Sequence, residues 1–250
     1  MRLTVLGKSP SWQDAGGACS SYLAEEGESM LLVDLGSGSF GKLRAIRDYR
    51  DLDAIVISHF HADHLLDLVP FACALSYGPA SAEGVRPRLI APAGAPAYFT
   101  RLGTALEDPD LISGAFAIEE YAPAVPFRVG PITVTPHSVR HIGATQAIEL
   151  EAGGRIVFGA DGGYSDELIE AARGADVLVA EATLPDPDPS QDIHMSAEET
   201  GRLAAAAGVG RLVLTHISDE IDTERSLEIA AGAFGGPVEL AREGLVLEAG

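Results

Sequence analysis

Two cysteines in 250 residues, Cys19 and Cys73, give no disulfide framework, and no CxxC spacing offers a thiolate metal site. Both read as buried or half-buried free thiols. Cations are scarce as well, with 17 Lys and Arg against 37 Asp and Glu and a formal charge of -20. A protein that grips long nucleic acid neutralises many phosphates, so this deficit disfavours such a partner unless a local basic patch exists. No run approaches the roughly 20 consecutive apolar residues of a membrane-spanning helix, because Pro, Gly and charges interrupt each one. Met1 to Gly7 is a short apolar run with one arginine and no cleavage site after it, so no export signal is read. The expectation is a cytoplasmic protein without a membrane partner. No linker or low-complexity stretch divides residues 1–250, which are expected to form one domain, and an apolar content of 46% is ample for its core.

The pattern that is present alternates strand and helix. Arg2 to Leu6 reads as a strand entering a Gly, Ser and Pro-rich loop, and Ser20–Ala24 with Ser29–Asp34 as a hairpin whose second arm is buried on both faces. A helix at Phe40–Tyr49 precedes a short buried strand at Ala54–Ile57. Further helices are expected at Leu65–Leu75, Ala95–Leu106, Ser165–Ala172, Ser196–Ala207 and Thr223–Phe234. Strands are expected at Arg88–Ala91, Phe127–Val129, Ile132–Thr135, Ala147–Leu150, Arg155–Gly159, Asp176–Ala180, Arg211–Leu214 and near Leu245. The reading is α/β, with helices covering mixed sheets. Glu107 to Ala124 is the least regular stretch and is expected to be a lid.

Chemistry concentrates at Ser58-His59-Phe60-His61-Ala62-Asp63-His64, where four potential metal ligands fall within six positions straight after a buried strand. At a strand end His59 and His61 can point to one side, while the turn into the next helix brings Asp63 and His64 to a second ion. The competing account is a polar helix cap with incidental histidines. Asp161 follows an apolar strand and precedes glycines, which give its carboxylate access to two ions, although a turn aspartate is the plainer alternative. His216 likewise ends the apolar run Leu212 to Thr215.

The string His59, His61, Asp63, His64 matches every defined position of the HxHxDH signature, and the chain resembles the metallo-β-lactamase superfamily. That resemblance implies a four-layer αββα sandwich with two mixed β-sheets flanked by helices. It also implies two zinc ions, with manganese as an alternative, on His59, His61, Asp63, His64, a third histidine, Asp161 as bridge, and His216. Two imidazoles compete for the third position. His137 is preferred because it follows the Ile132–Thr135 strand directly and has Gly143 six positions later, as in the ribonuclease Z branch. His141 is then a substrate-facing or exposed imidazole. Glu181-Ala182-Thr183 and His194-Met195-Ser196 partly match motifs of that branch, which implies that His194 donates a proton to the leaving oxygen and that Glu181 orients it. Ser196 with Glu199 is also a capping box, and the two roles are compatible.

Two bound metal ions make water a nucleophile near neutral pH and draw charge from a phosphoryl or carbonyl oxygen, and Asp63 can orient that water. An imidazole placed as a general acid helps most with a poor alkoxide leaving group, which favours phosphodiesters. Ribonuclease Z carries a tRNA-binding arm between its third histidine and bridging aspartate, whereas His137 to Asp161 has room only for a hairpin. A small anionic substrate, a cyclic or linear nucleotide, is therefore expected rather than folded RNA. A lactonase, esterase or thioesterase is the alternative enzyme, and a metal-binding sensor or partner protein the alternative from another class. The resemblance implies a homodimer.

Overall fold

The computed structural model describes residues 1–79, 81 and 84–250. The first half contributes β1 (Arg2–Gly7), β2 (Ser21–Glu26), β3 (Ser29–Val33), β4 (Ala54–Val56), β5 (Arg88–Ala91) and β6 (Ala117–Glu120). The second half contributes β7 (Phe127–Val129), β8 (Ile132–Ser138), β9 (Gln146–Glu151), β10 (Arg155–Phe158), β11 (Val177–Glu181), β12 (Leu212–Thr215) and β13 (Val238–Leu240). A last strand, β14 (Val246–Glu248), returns to the first sheet beside β1. Two seven-stranded sheets result, ordered β14-β1-β2-β3-β4-β5-β6 and β13-β12-β11-β10-β9-β8-β7. Each is mixed in the same way: antiparallel from one edge to β3 or β10, then parallel through β4, β5, β6 or β11, β12, β13.

Strand periodicity explains the layers. Leu31 and Val33 of β3 face the other sheet and join Ile148, Ile156, Phe158, Val177 and Val179 in an inter-sheet core. Leu32 faces away and packs with Phe40, Leu43, Leu68, Phe71 and Phe99 from α1 (Ser39–Ile46), α3 (Leu68–Tyr77) and α4 (Ala95–Ala105). On the opposite outer face Val157 and Leu178 meet α6 (Asp166–Ala172), α7 (Ala197–Ala207) and α8 (Thr223–Phe234). The expected four-layer arrangement of helices, two mixed sheets and helices is therefore the one observed. A strand buried on both faces needs a continuous apolar run, as Met30 to Val33 provides. No helix among the described residues is long and apolar enough to cross a membrane.

Several expectations require correction. The helix expected at Leu65–Leu75 is two pieces, α2 (Ala62–Leu65) and α3, and the Phe40–Tyr49 helix stops at Ile46 before a single 3-10 turn at Tyr49–Asp51. Glu107 to Ala124 is no lid: it folds as α5 (Leu111–Ala115) and β6, which pairs in parallel with β5. Its Ile112, Ala115 and Phe116 are buried in the helix-facing core, and Tyr121 donates to the carbonyl of Ile57 at 2.8 Å, behind the histidine string. Strand β13 passed unnoticed because Val238-Glu239-Leu240, although it alternates, is only three residues long and half-buried, too short for the pattern to stand out.

Candidate metal centre

Parallel strands deliver their carboxyl ends to one side of a sheet, and the connections leaving them supply converging side chains. Here Asp34 follows β3, His59 follows β4 after two residues, Asp161 follows β10, Glu181 closes β11 and His216 follows β12. Asp34, Ala160 and His216 hold positive φ values of 58°, 53° and 49°, a conformation that costs a non-glycine residue about 1–3 kcal/mol. Three of these five turns are thus bent more sharply than the side chains prefer, where the strands meet.

Among the described residues two donor groups share Asp161, and a third, made of Glu181, His194 and His216, adjoins them. His59, His61, His141 and Asp161 form the first and Asp63, His64, Asp161 and His216 the second, with all donor atoms in each group lying within 4.8 Å of one another. Asp161 belongs to both. Its Oδ2 lies 3.8 Å from His59 Nε2 and 3.8 Å from His141 Nε2, while its Oδ1 lies 3.1 Å from His64 Nε2 and 3.4 Å from His216 Nε2. Asp63 Oδ2 stands 3.1 Å from His216 Nε2 and 3.4 Å from His64 Nε2.

The expectation for His137 is corrected. Its Nε2 bonds to Glu149 at 2.6 Å, and it lies outside both groups, whereas His141 Nε2 stands 3.2 Å from His61 Nδ1. The reason is that β8 continues through Pro136 to Ser138, so His137 shares the half-buried face of Thr133 and Thr135. Pro136 is tolerated there because β7 pairs β8 only from Ile132 to Val134, leaving the proline without a ladder partner on that side. The chain turns after Ser138, and the loop carries His141 back to the cluster.

Hydrogen bonds outside the cluster fix which nitrogen each ring presents. His64 Nδ1 donates to Asp34 Oδ2 at 2.6 Å, and His141 Nδ1 donates to the Ile193 carbonyl at 2.9 Å. Ser58 Oγ gives its proton to Asp34 at 2.7 Å and so accepts from His59 Nδ1 at 3.0 Å. Thr183 Oγ1 donates to the His216 carbonyl at 3.0 Å and accepts from His216 Nδ1 at 2.8 Å. Each of these four rings turns Nε2 inward; His61 offers Nδ1. The sequence reading assigned no role to Asp34, Ser58 or Thr183, although Ser58 and Thr183 stand inside its motifs. For Asp34 a signal existed in an acid closing a wholly apolar strand, and for Ser58 in a hydroxyl directly before the first histidine.

Electrostatics follow from this crowding. Burial and the nearby charge of His64 push His59 down to about 2, leaving it a neutral ring with a free lone pair. Burial alone would raise Asp161, yet the charges of His216 and His64 hold it well below the usual carboxylate range. Burial opposes protonation of His64, but Asp161 and Asp34 on either side raise it well above its ordinary value. His59 Nε2, His64 Nε2 and Asp161 Oδ1 are buried without a hydrogen-bond partner. Leaving such atoms unpaired costs about 1–3 kcal/mol each, and two imidazole nitrogens beside a carboxylate oxygen are a donor set that a divalent cation such as zinc satisfies. The residues fit the metal.

Beside the second group, His194 Nδ1 lies 3.0 Å from Glu181 Oε1 and 3.1 Å from its Oε2. The fully buried Glu181 carboxylate also accepts from the backbone N–H of Gly162 at 2.7 Å and of Met195 at 3.2 Å. It therefore joins the Asp161 turn to the His194 turn. Burial lowers the His194 pKa, but the hydrogen bond and charge of Glu181 outweigh it and raise the value. The His194 ring sits 5.0 Å from that of His141 and 5.9 Å from that of His216, and Ser196 begins α7 with a complete capping box.

Residues 30–217 match the family model described as a β-lactamase superfamily domain. The chain is 32% identical to the probable metallo-hydrolase YhfI of Bacillus subtilis, over 99% of this chain and 100% of that one. The crystal structure of YhfI, a metallo-beta-lactamase fold protein, superposes with a TM-score of 0.88 over 99% of both chains at 28% identity. A ribonuclease Z of Myxococcus xanthus is 29% identical over 308 aligned positions, covering 99% of this chain and 97% of that one. An alignment longer than the 250 residues here means that this relative carries segments the chain lacks.

Proposed function

The chain belongs to the metallo-β-lactamase superfamily as a metal-dependent hydrolase, and we propose that it is a phosphodiesterase acting on a small, cyclic or linear, nucleotide-like phosphodiester. The observation that carries the reading is the pairing of His194 with Glu181 at the edge of the metal-ligand cluster. His59, His61, His141 and Asp161 would hold one ion, and Asp63, His64, Asp161 and His216 the other, with zinc favoured by the nitrogen and oxygen donor set. When bound, two such ions make water nucleophilic near neutral pH and neutralise charge on a phosphoryl oxygen. Asp63 orients the attacking water from its place beside His216 and His64. His194, kept protonated by Glu181, delivers its proton to the departing alkoxide. Thioesters and activated esters expel groups that depart without a proton, so a buried carboxylate paired with the imidazole favours a substrate with an alkoxide leaving group, and the nucleotide-like phosphodiester is the one we choose over a lactone.

Long RNA is the poorer candidate. From His141 to Asp161 the chain makes only β9, β10 and their connections, with no arm between them. We further propose that residues 1–250 act as one domain in the cytoplasm and pair as a homodimer. The test is a metal-supplemented screen of one preparation against a bis-aryl phosphodiester, a cyclic-nucleotide panel, lactones and thioesters. Turnover of a phosphodiester in preference to the others supports the reading, and turnover of lactones or thioesters alone sinks it.

A further inference from the structure

His216 is the second-group ligand with the least natural backbone, at φ 49° and only 2% exposed. A strained conformation persists only where surrounding contacts over-determine it. On the β11 side those contacts come from Thr183. On the other side they come from a buried ion pair in the loop after β1. Lys8 and Asp14 are each 8% exposed and form a close salt bridge. Lys8 Nζ donates to the carbonyl of Ile217 at 2.7 Å, and the Lys8 carbonyl accepts from the Ile217 N–H at 3.3 Å. Asp14 Oδ1 accepts from the Asp219 N–H at 3.1 Å. The loop is itself fixed, since Asp14 N–H donates to Ser9 Oγ at 3.0 Å and the N–H groups of Lys8 and Ser9 share the Ala18 carbonyl, each at 3.0 Å.

We propose that Lys8 and Asp14 are positioning residues for the metal centre, clamping Ile217 and Asp219 so that His216 Nε2 stays aimed at Asp63 and Asp161. The inference rests on the dinuclear metal reading above. A buried lysine is costly to keep, and replacing a buried ion pair with apolar side chains is often neutral for stability. A pair serving the fold alone could be dispensed with. A pair that aims a ligand could not be, because partners of metal-ligating histidines govern affinity for the ion.

Stability and aim can be separated with two variants, Lys8→Met and the double replacement Lys8→Met with Asp14→Leu. The double variant leaves no buried charge unpaired, so it keeps the test open if the single one unfolds. Each full-length protein, stripped with chelator, is titrated with zinc by calorimetry, alongside circular dichroism and thermal unfolding. The wild-type chain should take two ions. In a folded variant the affinity for one ion should fall by about 10–100-fold and that for the other by much less, because the two groups share only Asp161 and His59, His61 and His141 belong to the group without His216. Unchanged affinity for both ions, or an equal loss at both, overturns the clamp and leaves the metal centre standing. A wild-type chain that takes up no zinc overturns the metal centre and the clamp with it.

Discussion

His137 and His141 are chemically the same side chain four positions apart, and only the path of the backbone separates them. His141 faces His61 across 3.2 Å, whereas His137 is spent on Glu149. His141→Ala should therefore lower bound metal and activity together, and His137→Ala should leave the metal in place; elemental analysis of both proteins decides it, and a reversal sinks the assignment. His194 makes a different kind of claim, because Glu181 rather than the cluster holds it. With His194→Ala, phosphodiesters with poor alkoxide leaving groups should slow by roughly 10² or more, the scale of a general acid. An aryl phosphodiester should suffer far less, since its leaving group departs without a proton. If His194 served only the start of α7, both substrates would decline alike and weakly, because Ser196 and Glu199 cap the helix without it.

At the scale of elements, the legible parts were those whose local pattern and tertiary role agree. The string from His59 to His64 stood out because it follows Ala54 to Ile57, too apolar to be anything but a buried strand end. Asp161 and His216 were found by the same logic at the ends of β10 and β12. Strand β8 misled because a proline looks like a terminator, while its tolerance depends on β7 being too short to need the missing N–H. That extension has its own signature. Glu149 on β9 is gripped by His137 of β8 and by Arg155 of β10, whose guanidinium also caps carbonyls of Ala171 and Arg173. Burial would raise Glu149, but these two partners bring it from its ordinary 4.5 to about 2. A depressed carboxylate stabilises the fold above its unfolded value and loses that contribution as pH falls through its folded one. Acid unfolding followed by circular dichroism should thus show Glu149→Gln less stable than wild type at neutral pH, with the gap closing between about pH 4.5 and 2. A gap that stayed constant over that window would mean the three-strand contact carries no charge coupling.

For the molecule as a whole, the excess of 37 acidic over 17 basic side chains acts at longer range than any hydrogen bond. One groove of about 620 Å³ does gather Arg44, Arg47 and Arg50 where α1 ends and the 3-10 turn begins. Yet Arg47 is bound by Glu25 and Arg50 by Asp48, so the patch is largely neutralised and offers no track for a polyanion. The metal centre does not reverse the far field either. Two divalent ions and a protonated His194 would bring about five positive charges, and Asp63, Asp161, Asp34 and Glu181 around them offset four, which leaves too little to outweigh the chain's formal charge of -20. An anionic substrate must then approach against a net repulsion, which salt screens as the Debye length shrinks from about 30 Å at 0.01 M to about 8 Å at 0.15 M. Over that range kcat/KM for a small phosphodiester should rise by roughly 2–10-fold, while a neutral lactone should show no trend. An enzyme steered to its substrate by a basic surface behaves in the opposite way, losing kcat/KM as salt rises. Steady-state kinetics across a salt series at fixed pH distinguish the two, and a fall with salt would mean that a positive field, from the site or from the arginine groove, reaches solvent after all.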